Sequence, residues 1–221
     1  MGKRTRALFV GNSFTARNDL PGLLAQTVES SGKGDLEWEL ISAGGASLRQ
    51  HLNKGEPLQR LNDVPWDFVA LQEQSTLPVK NAARVADNVR DFDKIIGKTG
   101  ARTVLYMTWA RQNAPESQDA IAEAYSSIGE ELGSLVVPAG LAWQQSLQEH
   151  PGIVLHDKDK SHPSLAGTYL AACVFYVTLF KGDSKTIPDI DIGLDSADVA
   201  LLKQVALGAL RDTASSSAGS A

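Results

Sequence analysis

Short apolar runs alternate with longer amphipathic stretches along this chain, and that alternation restricts the fold more than any other feature. Residues 6–11, 36–42, 67–72, 102–107 and 135–138 read as strands. The first, third and fourth are continuous apolar runs, as strands buried on both faces are. Between and after them, residues 20–31, 47–61, 81–97, 116–132, 139–148, 164–181 and 196–212 read as helices. Repeated strand and helix predict an α/β fold: a three-layer α/β/α sandwich around a central parallel sheet of about five strands. Local punctuation agrees, with Asp19 placed to cap the first helix, Pro21 in its opening turn, and Gly97 or Gly100 placed to end the third.

A chain of 221 residues, 43% of them hydrophobic, can bury one substantial core. One domain over residues 1–212 is expected, followed by a small, polar, frayed tail at 213–221. A net charge of -5 and the lack of any run of Lys or Arg interleaved with aromatics argue against a nucleic-acid partner. The stretch 169–180 falls short of the roughly 20 apolar residues of a membrane span, so it reads as a buried helix and no membrane association is expected. The amino terminus, Met1-Gly2-Lys3-Arg4-Thr5-Arg6, runs into the first strand without the apolar segment of a secretory signal, which makes a cytoplasmic location the expectation. The single cysteine, Cys173, excludes an internal disulfide and reads as a small packed hydrophobe.

In a doubly wound sheet, sites form beyond the carboxyl ends of the strands. Four segments fall there: Gly11-Asn12-Ser13, Ala43-Gly44-Gly45, Gln72-Glu73-Gln74-Ser75 and Thr108-Trp109-Ala110-Arg111. A serine hydroxyl is a weak nucleophile that needs a base and a group to orient that base. Ser13, following Gly11 at the end of the first strand, is the candidate nucleophile, although a serine in such a place is by itself an ordinary turn or cap residue. Near the other end of the chain, Asp159-Lys160-Ser161-His162-Pro163 carries an aspartate three residues before a histidine, on a loop that Pro163 keeps out of the preceding helix. His162 is the candidate base and Asp159 its orienter, with Asp157 and His156 as nearby competitors. His51 and His150 fall on expected helices and read as surface residues. Gly44 or Gly45 could bring a backbone N–H to a reacting carbonyl, as an oxyanion hole requires, and Gln72 or Gln74 could add a side-chain amide. Trp109 and Arg111 are candidate substrate-binding residues, with Trp109 read equally well as core packing.

With these residues in place, the chain resembles the SGNH, or GDSL-like, hydrolase superfamily over almost its whole length. Gly11-Asn12-Ser13-Phe14-Thr15 matches the serine block, with Asn12 where many members carry Asp; Gly44 or Gly45 matches the glycine block, and Asp159-Lys160-Ser161-His162 matches the last block. Asn18-Asp19-Leu20-Pro21, Leu71-Gln72-Glu73-Gln74-Ser75 and His162-Pro163-Ser164 are similar to a bacterial subgroup. One block departs: the superfamily's Gly-x-Asn-Asp, whose asparagine donates to the oxyanion, is missing after the third strand. The resemblance to carbohydrate acetylesterases with glutamine at that point implies Gln72 as the substitute.

The resemblance implies a flavodoxin-like SGNH fold and a serine esterase acting on a small acyl ester, acetyl being favoured, on a small molecule or a carbohydrate. Ser13, His162 and Asp159 would form the triad, and the N–H groups of Ser13 and Gly44 or Gly45, with Gln72, the oxyanion hole; Gln74, Trp109 and Arg111 would touch substrate. Lipid or thioester hydrolysis, or a binding relative without turnover, are the alternatives. No cofactor is expected, because neither Gly-x-x-x-x-Gly-Lys-Ser/Thr nor Gly-x-Gly-x-x-Gly occurs. No metal is expected either, for want of His-Glu-x-x-His or a cysteine pair. A Gly-x-Ser-x-Gly elbow is also absent, which argues against an α/β-hydrolase.

Overall fold

The computed structural model describes residues 3–180 and 186–217. Strand β1 (Lys3–Gly11) is followed by the single-turn helix α1 (Ser13–Ala16), a 3-10 turn at Arg17–Asp19, helix α2 (Leu20–Ser30) and strand β2 (Gly34–Ser42). Helices α3 (Leu48–Lys54) and α4 (Glu56–Asp63) lead to β3 (Phe68–Leu71), and α5 (Leu77–Lys80) and α6 (Ala82–Ile96) lead to β4 (Arg102–Tyr106). A 3-10 turn at Pro115–Ser117 precedes α7 (Gln118–Leu132), β5 (Leu135–Val137), α8 (Ala139–Glu149), α9 (Leu165–Leu179) and α10 (Ser196–Ser217).

The five strands form one parallel sheet in the order β2-β1-β3-β4-β5, the α/β sandwich expected from the alternation of runs. The chain leaves β1 for β2 on one side and returns to β3 on the other, so the order reverses at β1. The crevice beyond its carboxyl end is where such sheets place their sites. Register aligns those ends: Val10 lies opposite both Ile41 and Leu71, and Gly11 lies opposite Ser42.

Successive side chains of a strand point to opposite faces, and β1 feeds both halves of the core accordingly. Ala7 and Phe9 join the residues of α2, α8, α9 and α10, while Leu8 and Val10 join those of α3, α4, α6 and α7. Helix α9 is the central member of its layer, buried at every position from Ala166 to Val177, with Cys173 packed inside it. Its 15 residues span only about 22 Å at 1.5 Å per residue. Among the described residues no helix is long and apolar enough to cross a membrane.

Two expected elements differ. The helix expected over 47–61 is broken at Gly55, which adopts φ +76 and ends α3, while Pro57 in the first turn of α4 has no N–H to continue the earlier ladder. At the other end, α10 continues to Ser217 rather than stopping at Asp212, since neither Gly nor Pro intervenes before Gly219. Residues 218–221 of the expected tail lie outside the described residues, as does Lys181 at the end of the helix expected over 164–181.

Asp19 caps α2 as its position predicts, its Oδ1 accepting from the Gly22 N–H at 3.2 Å. A different glycine couples α9 to the carboxyl-terminal loop. A Cβ built on Gly167 would stand 2.4 Å from both the Leu155 carbonyl oxygen and the Trp143 ring. Only a residue without a side chain lets the helix approach this closely. Gly167→Ala is therefore expected to destabilise the protein by about 1–3 kcal/mol through overpacking. Urea unfolding measures it, and an unchanged midpoint would show that the contact relaxes freely.

Candidate active site

The turn that carries Ser13 is built by a glycine and an asparagine. A Cβ on Gly11 would lie 2.7 Å from both Gln72 Oε1 and Thr15 Oγ1, so the chain can pass between β3 and α1 only without a side chain there. Asn12 then caps α1: its Oδ1 accepts from the Phe14 N–H at 3.0 Å, and its Nδ2 donates to the Ala46 carbonyl at 3.0 Å. Ser13 is thus the first residue of a helical turn, a position whose backbone N–H has no intrahelical partner. Its neighbour Phe14 is buried beneath it.

Across the crevice, the loop between α8 and α9 is held as a narrow excursion. His156 and Pro163 form an isolated antiparallel bridge, the Asp157 N–H donates to the His162 carbonyl at 2.8 Å, and the Ser164 N–H donates to Leu155 at 2.8 Å. Within it, Asp159 Oδ1 accepts from the backbone N–H groups of Ser161 and His162, at 3.0 and 2.9 Å. Asp159 Oδ2 faces His162 Nδ1 at 2.5 Å, and His162 Nε2 lies 2.7 Å from Ser13 Oγ. The His162 ring packs against Phe14 with centroids 5.2 Å apart.

Electrostatics match this order of contacts. The His162 backbone N–H, then its ring, hold the Asp159 carboxyl well below the usual carboxylate range, so the group facing Nδ1 is anionic. Asp157, the competing orienter, is engaged elsewhere, in a 2.6 Å ion pair with Arg17, whose other terminal nitrogen is 3.9 Å from Asp159. His156 is buried, with Nε2 3.0 Å from the Ala110 carbonyl oxygen. Neither of these two competitors is placed against the serine.

Gly44 and Gly45 are the exposed central residues of a turn closed by the Ala46 N–H on Ala43, 3.0 Å, and Gly45 takes φ +65. The Asn12 side chain ties this turn to the serine turn. The Gln72 amide braces the serine turn. Its Oε1 accepts from the Asn12 N–H at 2.9 Å and the Thr15 hydroxyl at 3.0 Å, and its Nε2 donates to the Glu73 carbonyl. Gln74 closes a local turn on Thr76, at 2.9 Å to its N–H and 3.0 Å to its hydroxyl. Trp109 is buried, between Phe14 at 5.2 Å and Trp143 at 3.7 Å, and its Nε1 donates to the Ser161 carbonyl at 3.1 Å. Arg111 is exposed, on the wall of a cavity beside that indole.

The sequence reading missed the layer beneath. His51 is 2% exposed rather than on the surface, with Nε2 2.7 Å from the Gly11 carbonyl oxygen; burial pushes its pKa down and keeps the ring neutral. The available signal was its place on the apolar stripe of α3, three residues after Leu48 and one before Leu52. Glu73 is fully buried. Its Oε1 accepts from the N–H groups of Leu48 and Gln74, at 3.0 and 2.7 Å, and its Oε2 accepts from Asn88 Nδ2 at 2.7 Å. Desolvation raises its pKa against those hydrogen bonds. His150, the other histidine expected at the surface, is partly exposed. Among the described residues no group of three or more His, Cys, Asp or Glu is arranged to hold a metal ion.

No protein-family model matches the chain, and no curated protein sequence matches it. Solved structures do. A protein from Slackia heliotrinireducens, assigned to the SGNH hydrolases, superposes with a TM-score of 0.70 at 28% identity, over 80% of this chain and 100% of that one. The chain has the SGNH, GDSL-like, hydrolase fold. A DUF4886 family protein from Bacteroides uniformis matches this SGNH fold with a TM-score of 0.73 at 19% identity, over 95% of each chain. Axe2, an acetylxylan esterase from Geobacillus stearothermophilus, matches with a TM-score of 0.65 at 16% identity, over 81% of this chain and 95% of that one.

The Glu73 network makes a direct prediction. Glutamine in its place has one acceptor oxygen for donors that arrive from two sides, so a buried N–H is left facing an amide NH2. Glu73→Gln is expected to lower stability by about 1–3 kcal/mol, read as a reduced midpoint in chemical denaturation; unchanged stability would show that the carboxylate is not needed there.

Proposed function

We propose that this SGNH-fold protein is a serine ester hydrolase that removes a small acyl group, acetyl foremost, from a small-molecule or carbohydrate alcohol. The observation that carries the reading is the unbroken relay from Asp159 through the His162 ring to Ser13 Oγ, at 2.5 and 2.7 Å. The hydrolases and esterases among the structural neighbours support it, and the acetyl preference draws on the acetylxylan esterase.

In the proposed reaction His162 Nε2 takes the Ser13 proton as the oxygen attacks the ester carbonyl, and Asp159 holds the imidazole with Nδ1–H toward itself, stabilising the cation that forms. The N–H of Ser13 and that of Gly44 or Gly45 receive the oxyanion. Gln72 serves the hole indirectly, by holding the backbone that presents the serine. Collapse of the tetrahedral intermediate expels the alcohol with the proton returned from His162. Water, activated by the same imidazole, then attacks the acyl-serine and releases the acid.

Ser13→Ala and His162→Ala are each expected to reduce hydrolysis of a chromogenic acetyl ester by a factor of about 10⁴ or more with the thermal melt nearly unchanged; turnover close to that of the parent in either variant refutes the triad. Because a protonated imidazole cannot accept the serine proton, kcat/KM should fall on acidification, and a rate constant that does not fall contradicts the role of His162. A series of acyl esters then tests the acyl group. A pocket for longer chains would gain about 0.8 kcal/mol per buried methylene, so rates that rise with chain length point to a lipid or thioester substrate instead of an acetyl ester.

A further inference from the structure

Every non-glycine residue with left-handed backbone among the described residues lies on one of the two segments that meet at Ser13 and His162. Asn18 (φ 53) and Asp19 (φ 52) follow the serine turn, and Lys160 (φ 62) stands in the histidine loop. Such backbone is unfavourable for a residue with a Cβ, although Asn and Asp tolerate it best, and it persists where the surroundings over-determine it. Asp19 is held there as the cap of α2. Asn18 is held by what its side chain touches.

Asn18 Nδ2 donates to the Pro163 carbonyl at 3.1 Å and to the Thr168 hydroxyl at 2.9 Å. Thr168 Oγ1 itself donates to the Ser164 carbonyl at 3.1 Å, which leaves its oxygen to accept. Pro163 follows His162 directly and Thr168 lies in the first turn of α9, so one amide grips the histidine loop where it enters the helix. The neighbouring Arg17 meets the other leg of the loop, 2.6 Å from Asp157. That ion pair joins two half-exposed groups, which solvent screens. The amide is short and its two hydrogen bonds fix direction as well as distance.

We propose that Asn18 is a positioning residue for the acyl transfer: through Pro163 it sets the distance and direction of the His162 ring relative to Ser13 Oγ. Its effect on rate rests on the reading of Ser13 and His162 as the reacting pair. Ser13 and His162 stand 149 residues apart in the chain, and Asn18 ties a segment beside one directly to a segment beside the other. Reacting groups tolerate little error, since a misplacement of about 1 Å can cost about a hundredfold in rate.

Two variants test this. Asn18→Gly favours the same backbone and removes the amide, whereas Asn18→Asp keeps the shape and replaces the donor by an acceptor. Asn18 is exposed, so neither change leaves a core cavity. Each variant is expected to lower kcat on a chromogenic acetyl ester by about tenfold or more, with KM within about twofold of the parent's and the thermal melt well above the assay temperature. The second readout, ring-nitrogen NMR of His162, does not need turnover. Ser13→Ala should move the Nε2 signal by removing its hydrogen-bond donor, and Asn18→Gly should move it in the same direction. An active parent whose Asn18 variants keep their kcat, a change confined to KM, or an Nε2 signal that Asn18→Gly leaves in place each overturns this inference and leaves the hydrolase reading standing. A parent that hydrolyses no ester, with the Nε2 signal still moved by Asn18→Gly, sinks the hydrolase reading and upholds the hold of Asn18 on the ring.

Discussion

The hydrogen bond between Ser13 Oγ and His162 Nε2 joins residues 149 apart in the chain, and the surrounding structure holds its two ends. A single hydrogen bond contributes about 1 kcal/mol net, less than the backbone entropy lost in ordering even one or two residues. The contact therefore cannot assemble itself. Strand β1 delivers the serine to the reversal point of the sheet, and α9, buried along its length, anchors the loop that carries the histidine. Trp109 links the two sides, stacking on Phe14 next to the serine while donating to Ser161 next to the histidine.

Beneath the serine lies a polar layer that belongs to the site without facing the crevice. Gln72, Glu73, Asn12 and His51 tie the ends of β1 and β3 to the start of α3 through buried hydrogen bonds. Burying a carboxylate such as Glu73 is unfavourable unless its oxygens are met, and here three donors meet them. The result is a serine turn held by neighbours on both flanks. In the SGNH block that this chain lacks, an asparagine follows the third strand. Here a glutamine stands at that strand end, and its amide oxygen accepts from the serine turn.

Legibility varied with the kind of interaction involved. The strands were visible because a run buried on both faces must be apolar, and Ser13, Asp159 and His162 stood out because their types and spacing suit one chemistry. The break at Gly55 was readable from Gly followed by Pro57, yet the amphipathic pattern continues through it and hid the turn. His51 reads as a surface residue by its type, although its place on the apolar stripe of α3 signalled burial. Its place is decided by the Gly11 carbonyl, which reaches it across 40 residues of chain. Trp109 had been read either as core or as pocket wall, and it is 2% exposed, with Phe14 and Trp143 stacked on its ring.

By itself the sequence determined the layered α/β architecture, the parallel sheet and the residue types available for acyl transfer, since these follow from local periodicity and side-chain chemistry. Tertiary structure alone decided that Asp159 rather than Asp157 faces the imidazole and that the Gln72 amide braces the serine turn. Those outcomes depend on which distant backbone groups arrive at each side chain, and hydrogen-bond reach of about 3 Å is a property of the folded chain that no local pattern encodes.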